Sequence, residues 1–172
     1  MQAPMLRRLR VDILVVATLA VAVLLTVLGR PARAEGERVI AVPELHAMTP
    51  EASDDAIGIT AELRRRFQSV PSLRVVDAPK APTDVPGYPD NVPPFALWRD
   101  SHVDIVLIGN TVVLKDGRHR LSVRIWDLAK RVQIVGHVFV YSPQLGYEQE
   151  IADVVRNALV EALEKENEPE RP

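Results

Sequence analysis

VDIVLIGNTVVLKDGRHRLSVRIWDLAKRVQIVGHVFVY, from Val103 to Tyr141, is the stretch that decides the fold. It reads as three consecutive strands joined by two short turns. Val103 to Leu114 is apolar and β-branched, the composition of a strand buried on both faces. Lys115-Asp116-Gly117-Arg118 supplies an Asp-Gly hairpin signal. His119 to Asp127 alternates: Leu121, Val123 and Ile125 point one way, and Arg120, Ser122, Arg124 and Trp126 the other. Leu128 to Arg131 turns the chain again, and Val132 to Tyr141 returns.

Outward from this meander, the chain supplies covering elements. Arg38 to Pro43 predicts a short buried strand, followed by a loop from Glu44 to Met48. Thr49-Pro50 predicts a helix start, with Thr49 as N-cap and Pro50 at the first helical position. Asp54 and Asp55 complement the helix dipole there. Ala56, Ile59, Leu63 and Phe67 form an apolar stripe running to about Ser69. Leu73 to Asp77 is a second strand. Six prolines and Gly87 make Pro79 to Pro94 an irregular extended loop, with Tyr88 its one aromatic residue. Pro94 to Ser101 predicts a short helix with Phe95 and Trp98 in the core. Pro143 opens a last helix through about Glu166, with Ile151, Val154, Val155, Ala158, Leu159 and Ala162 on its apolar side. The order β-α-β-α-β-β-β-α implies an α/β two-layer sandwich: a five-stranded mixed sheet with the long helices packed on one face.

The first 34 residues predict an export signal. Arg7, Arg8 and Arg10 precede an apolar run from Ile13 to Leu28. Gly29-Arg30-Pro31 breaks it, and Ala32-Arg33-Ala34 is a cleavage site before Glu35. An uncleaved anchor is the alternative, although the run is short of the roughly 20 residues a spanning helix needs. Either way the remainder is exported, to the periplasm in a bacterium, and it touches membrane only through that segment if the segment is uncleaved. The expected domain is 35–166, with a disordered tail at 167–172. Residues 1–34 hold five Arg and one Asp, so the remainder carries 16 basic and 22 acidic side chains and a net charge of −6. That balance argues against a nucleic-acid partner. The absence of cysteine excludes disulfides, thiolate metal sites, thiol nucleophiles and a lipid anchor on Cys.

No catalytic motif is present: no H-E-x-x-H, no G-x-S-x-G, no phosphate-binding glycine loop. His46, His102, His119 and His137 lack ligand spacing and read as structural or exposed. We therefore expect no enzyme, cofactor or metal. The informative feature is the polar stripe of the middle strand: Arg118, Arg120, Ser122, Arg124 and Trp126. Gln133, Val135, His137, Phe139 and Tyr141 form one parity class of the next strand. Set beside that stripe, they would make the outer face basic and aromatic, a composition enriched at protein interfaces. The competing reading pairs those arginines with Asp104, Asp127 and other acids and lets Phe139 and Tyr141 cover the sheet edge. Arg120, Arg124, Trp126 and Tyr88 are the candidate partner-binding residues.

Several stretches resemble the amino-terminal domain of TolB, the periplasmic protein of the Tol-Pal envelope system. They are Ile40-Ala41-Val42-Pro43, Ile57-Gly58-Ile59-Thr60-Ala61-Glu62-Leu63, Phe95-Ala96-Leu97-Trp98, Val103 to Gly109, Arg124-Ile125-Trp126-Asp127 and Ser142-Pro143-Gln144. TolB-like modules attached to adenylate cyclases and repeat proteins are similar at Gly58 to Leu63 and Gln149 to Ala152. The resemblance implies the same two-layer fold. With the chain stopping at Pro172, it implies a domain without the β-propeller that contacts Pal. Glu35-Gly36-Glu37 is too short an arm for the TolA contact. The expectation is thus a stand-alone periplasmic adaptor that binds an envelope protein. The alternative is a sensory module taking a small ligand or anion beside Arg64 to Arg66 or under the proline-rich loop.

Overall fold

The structure is a computed structural model and describes residues 37–77, 92–98 and 101–167. The elements are β1 (Arg38–Ala41), β2 (His46–Ala47), a 3-10 turn (Pro50–Ala52), α1 (Ser53–Gln68), β3 (Leu73–Val76), α2 (Phe95–Trp98), β4 (Ile105–Val113), β5 (His119–Asp127), β6 (Val132–Tyr141) and α3 (Tyr147–Asn167). The strands join in the order β3-β1-β4-β5-β6. β1 runs parallel to β3 and β4, and the meander β4-β5-β6 is antiparallel. This is the expected mixed sheet with both long helices on one face.

A sixth strand lies in the segment read as loop. β2 pairs with β4 at Asn110 and Thr111, further along the same side of β4 that β1 occupies. The strand is interrupted because Leu45 drops onto the sheet at Gly109. A Cβ there would stand 2.8 Å from Leu45 Cδ2 and 2.4 Å from the Ser122 carbonyl oxygen. Only glycine permits that approach.

Two helix starts differ from expectation. The Thr49 hydroxyl caps no helical N–H; it accepts from the Val113 N–H at 3.5 Å. A 3-10 turn intervenes before α1. The last helix begins at Tyr147 rather than Pro143, because Gly146 holds φ +91°, a left-handed conformation that stops a helix from starting earlier.

The main core lies between sheet and helices. Ile59, Leu63 and Phe67 of α1 meet Ile40, Leu107, Leu121 and Ile125 of the sheet. The seam of α3 is Ile151, Ala152, Val155, Leu159 and Leu163. Val154, expected on that seam, is 45 % exposed. Each fully buried Leu, Ile or Phe contributes roughly 1.5–3 kcal/mol. Ala41, Trp98, Val106 and Ile108 form a second, smaller core on the opposite face, where the single turn α2 covers part of the sheet.

Candidate interaction surface

The register of β6 decides what the open face carries. Leu121 faces Phe139, Val123 faces His137, Ile125 faces Val135 and His119 faces Tyr141. Directly paired residues share a face, so these β6 side chains lie on the helix side, and Val135, Phe139 and Tyr141 pack with the main core. The basic-aromatic outer face does not form. A bulge between Ile125 and Trp126 skips Ile134 and brings Gln133 opposite Trp126. Beyond it, Gly136 faces Arg124, Val138 faces Ser122 and Val140 faces Arg120. The open face is therefore basic and β-branched, with Val138 63 % and Val140 49 % exposed.

Of the arginines in this stripe, Arg118 pairs with Asp116 at 2.7 Å, whereas Arg120 and Arg124 make no ion pair with a described carboxylate. Arg124 Nη1 donates to Gln133 Oε1, a neutral amide. Arg120 is exposed and makes no ion pair with the described carboxylates. Asp127 pairs with Arg38 at 2.6 Å instead, and Asp104 Oδ2 accepts the Val39 N–H at 2.7 Å. Trp126 is half-buried and meets Phe95 edge to face, centroids 5.8 Å apart. Arg131 lies over the other partner of that pair, its guanidinium carbon 5.9 Å from the Phe95 centroid. Arg120, Arg124 and Trp126 thus share one stripe, with Phe95 and Arg131 at its Trp126 end. Tyr88, Ala32 and Ala34 lie outside the described residues.

The helix side is charge-paired. Asp127, 2 % exposed, accepts from Arg38 Nη2 and from the Lys130 N–H at 2.8 Å. Burial opposes its ionisation, but the Lys130 N–H and the Arg38 guanidinium outweigh that and hold the carboxyl below the usual carboxylate range. The Lys130 ammonium, then Arg38, hold Glu166 low in the same way, against the cost of its partial burial. Arg64 Nε donates to the Val42 carbonyl. Arg65 and Arg66 pair with Glu62, and Arg66 also with Asp153. The three arginines proposed for anion capture thus serve the chain's own acceptors.

A polar cluster on the helix side escaped the sequence reading. Asp55, buried at 7 % exposure, accepts from three elements at once. Oδ2 takes the His119 Nδ1–H and the Tyr141 hydroxyl at 2.9 Å; Oδ1 takes the Tyr147 hydroxyl at 2.7 Å. The two tyrosine rings stack at 5.0 Å. Burial, together with the Asp55 carboxylate, pushes both phenols well above the ordinary tyrosine range. The sequence alone places Asp55 at the helix dipole and leaves His119 structural or exposed. Yet His119 shares the parity of Leu121, Val123 and Ile125, which was the available signal. The cluster ties α1, β5, β6 and α3 together, and both Asp55 oxygens accept from the chain's own donors. No group of three His, Cys, Asp or Glu side chains able to hold a metal occurs among the described residues. No described helix is long and apolar enough to cross a membrane.

Comparison with known proteins agrees with this architecture. No family model matches the chain. The Tol-Pal system protein TolB of Xanthomonas campestris pv. campestris is 23 % identical over 112 residues, covering 64 % of this chain and 24 % of that protein. The chain therefore spans about a quarter of the length of the curated relatives it matches. The crystal structure of TolB from Acinetobacter baumannii superposes with TM-score 0.52 at 12 % identity, over 75 % of this chain and 29 % of that one. The PelC dodecamer from Paraburkholderia phytofirmans gives TM-score 0.45 at 15 % identity, over 77 % and 91 %. The domain is TolB-like in sequence and in fold.

Proposed function

We propose that this chain is a non-enzymatic periplasmic adaptor that docks an envelope protein on the open face of its sheet. The observation that carries the reading is the pair Arg120 and Arg124. They make no ion pair with the described carboxylates and stand directly opposite Val140 and Gly136, with exposed Val138 between those two positions. Arginine beside an exposed apolar patch is the composition of interface hot spots. Cations left without acids favour an acidic partner, which they would also steer in encounter. β6 ends the strand order, so one side of its backbone has no strand partner in the described sheet. That edge offers ladder hydrogen bonds to an incoming segment.

The periplasmic location rests on the leader at residues 1–34, and the envelope partner on likeness to a Tol-Pal system protein. Trp126 and the proline-rich connection carrying Tyr88, which leads into α2, complete the proposed docking elements. The test is crosslinking of the tagged protein in its native envelope, followed by mass spectrometry. An Arg120→Glu, Arg124→Glu double variant runs alongside. One envelope protein should be enriched and then lost in the variant, while the variant keeps its melting temperature. Unchanged capture, or no enrichment over background, contradicts the proposal.

A further inference from the structure

The two edges of the sheet are finished differently. β3, at one end of the strand order, is four residues long and carries Arg74, which pairs with Glu37 at 3.6 Å. Short length and charge are the usual guards of a sheet edge. β6, at the other end, is ten residues long and contains no Pro, Lys, Arg, Asp or Glu. The bulge at Ile125/Trp126 disturbs only its start, and Val135 to Tyr141 pair with β5 in unbroken register. We infer that this edge receives an extended segment of the docked partner as a further strand, with a carboxylate of that segment set beside Gly136, where Arg124 meets it.

Three observations carry this. Alternate backbone groups of an antiparallel strand point to opposite sides. Half of those from Val135 to Tyr141 therefore face away from β5, where the described sheet has no further strand. Along this run Gly136, Val138 and Val140 are all exposed. Second, Gly136 is a notch in the strand. It stands opposite Arg124, and the Gln133 amide lies over it, with Nε2 2.4 Å from where a Cβ would be. A side chain at 136 would displace that amide. Arg124 Nη1 donates to the same amide, which draws the cation across β6 towards its open edge. Strands pair about 5 Å apart, so a residue beside Gly136 on the next strand is within an arginine's reach. Arg120, opposite Val140, has no such opening. Third, charge selects the occupant. Arg124 makes no ion pair with a described carboxylate, and β6 holds no acid of its own. A second copy pairing edge to edge would therefore bring Arg124 no carboxylate. A partner strand with an acid at this position and apolar residues at the alternate ones meets both the cation and the flank of Val135 and Phe139, which pack with the main core. In strand addition the backbone ladder supplies affinity and the alternate side chains supply specificity.

The inference rests on the adaptor reading for its partner and deepens it by stating how that partner engages. The test is a titration of the ¹⁵N-labelled protein, purified as the cell exports it, with acetyl-Thr-Thr-Val-Glu-Val-Thr-Thr-amide. Backbone signals of Val135 to Tyr141 should move saturably, and hydrogen exchange should slow at alternate amides of that run, the ones that point away from β5. The same peptide with Gln in place of Glu should bind about threefold more weakly, the size of a partly exposed ion pair. In Arg124→Gln the two peptides should bind alike. The peptide comparison on the unaltered protein keeps the test decisive if that variant fails to fold. No saturable movement along β6, movement centred on another element, or equal binding of the two peptides by the unaltered protein overturns the inference. So does slowed exchange that follows protein concentration without peptide, which would put a second copy at the edge. The outcomes separate the two readings. Capture of an envelope protein without peptide binding at β6 keeps the adaptor and refutes strand addition; peptide binding at β6 without envelope capture does the reverse.

Discussion

The two faces of this sheet are built from the same strands and treat charge in opposite ways. On the helix side, Asp55 accepts from His119, Tyr141 and Tyr147, and Asp127 is held by Arg38 and the Lys130 N–H. On the open side, Arg124 donates to a glutamine oxygen, Arg120 and Arg124 make no ion pair with a described carboxylate, and Val138 and Val140 stand exposed. Buried polar groups cost stability unless satisfied, and on the helix side the buried carboxylates of Asp55 and Asp127 are satisfied by the chain's own donors. The open side carries no such constraint, and its composition is free to answer to a partner. The difference separates residues that hold the fold from residues available for work.

The largest break in that contrast should come from Asp55→Ala. It leaves two phenols and an imidazole without their acceptor, and we expect a loss of about 3–4 kcal/mol in denaturant unfolding. Asp127→Asn should cost about 2 kcal/mol, because Arg38 is partly exposed and regains water. The acid limb of stability checks the same residues. The folded pKa values of Asp127 and Glu166 lie below their unfolded ones. Their contribution is therefore complete above about pH 4 and is lost as pH falls through the depressed folded values. Asp127→Asn should accordingly flatten the acid limb of the stability curve. Tyr141 and Tyr147 give the alkaline counterpart. Their raised values mean that stability is present below about pH 10 and is lost as pH rises further. By ultraviolet titration, two of the three tyrosines should resist ionisation until the protein unfolds. The smallest effect is expected on the other face: Arg120→Ala should change stability by no more than about 0.5 kcal/mol. A cost near that of Asp55→Ala would erase the distinction between the faces.

Much of this was legible in the sequence. β5 and β6 fall where alternation and the Asp-Gly turn put them. The stripe Arg120, Ser122, Arg124, Trp126 is on one face because a period of two admits no other arrangement. The orientation of β6 was not legible. Val132, Ile134, Gly136, Val138 and Val140 make one class; Gln133, Val135, His137, Phe139 and Tyr141 the other. Both are mostly apolar, so alternation does not mark the buried one. The bulge at Ile125/Trp126 and the turn before Val132 decide it. The Asp55 cluster joins residues 64, 86 and 92 positions apart, beyond any local pattern.

The most direct test is site-specific photocrosslinking in the intact envelope. One probe replaces Val138, on the open face, and the other Val154, exposed on α3. The account predicts that the Val138 probe captures an acidic envelope protein while the Val154 probe captures nothing above background. Capture from Val154 alone, or equally from both positions, would contradict the claim that the open face is the docking surface.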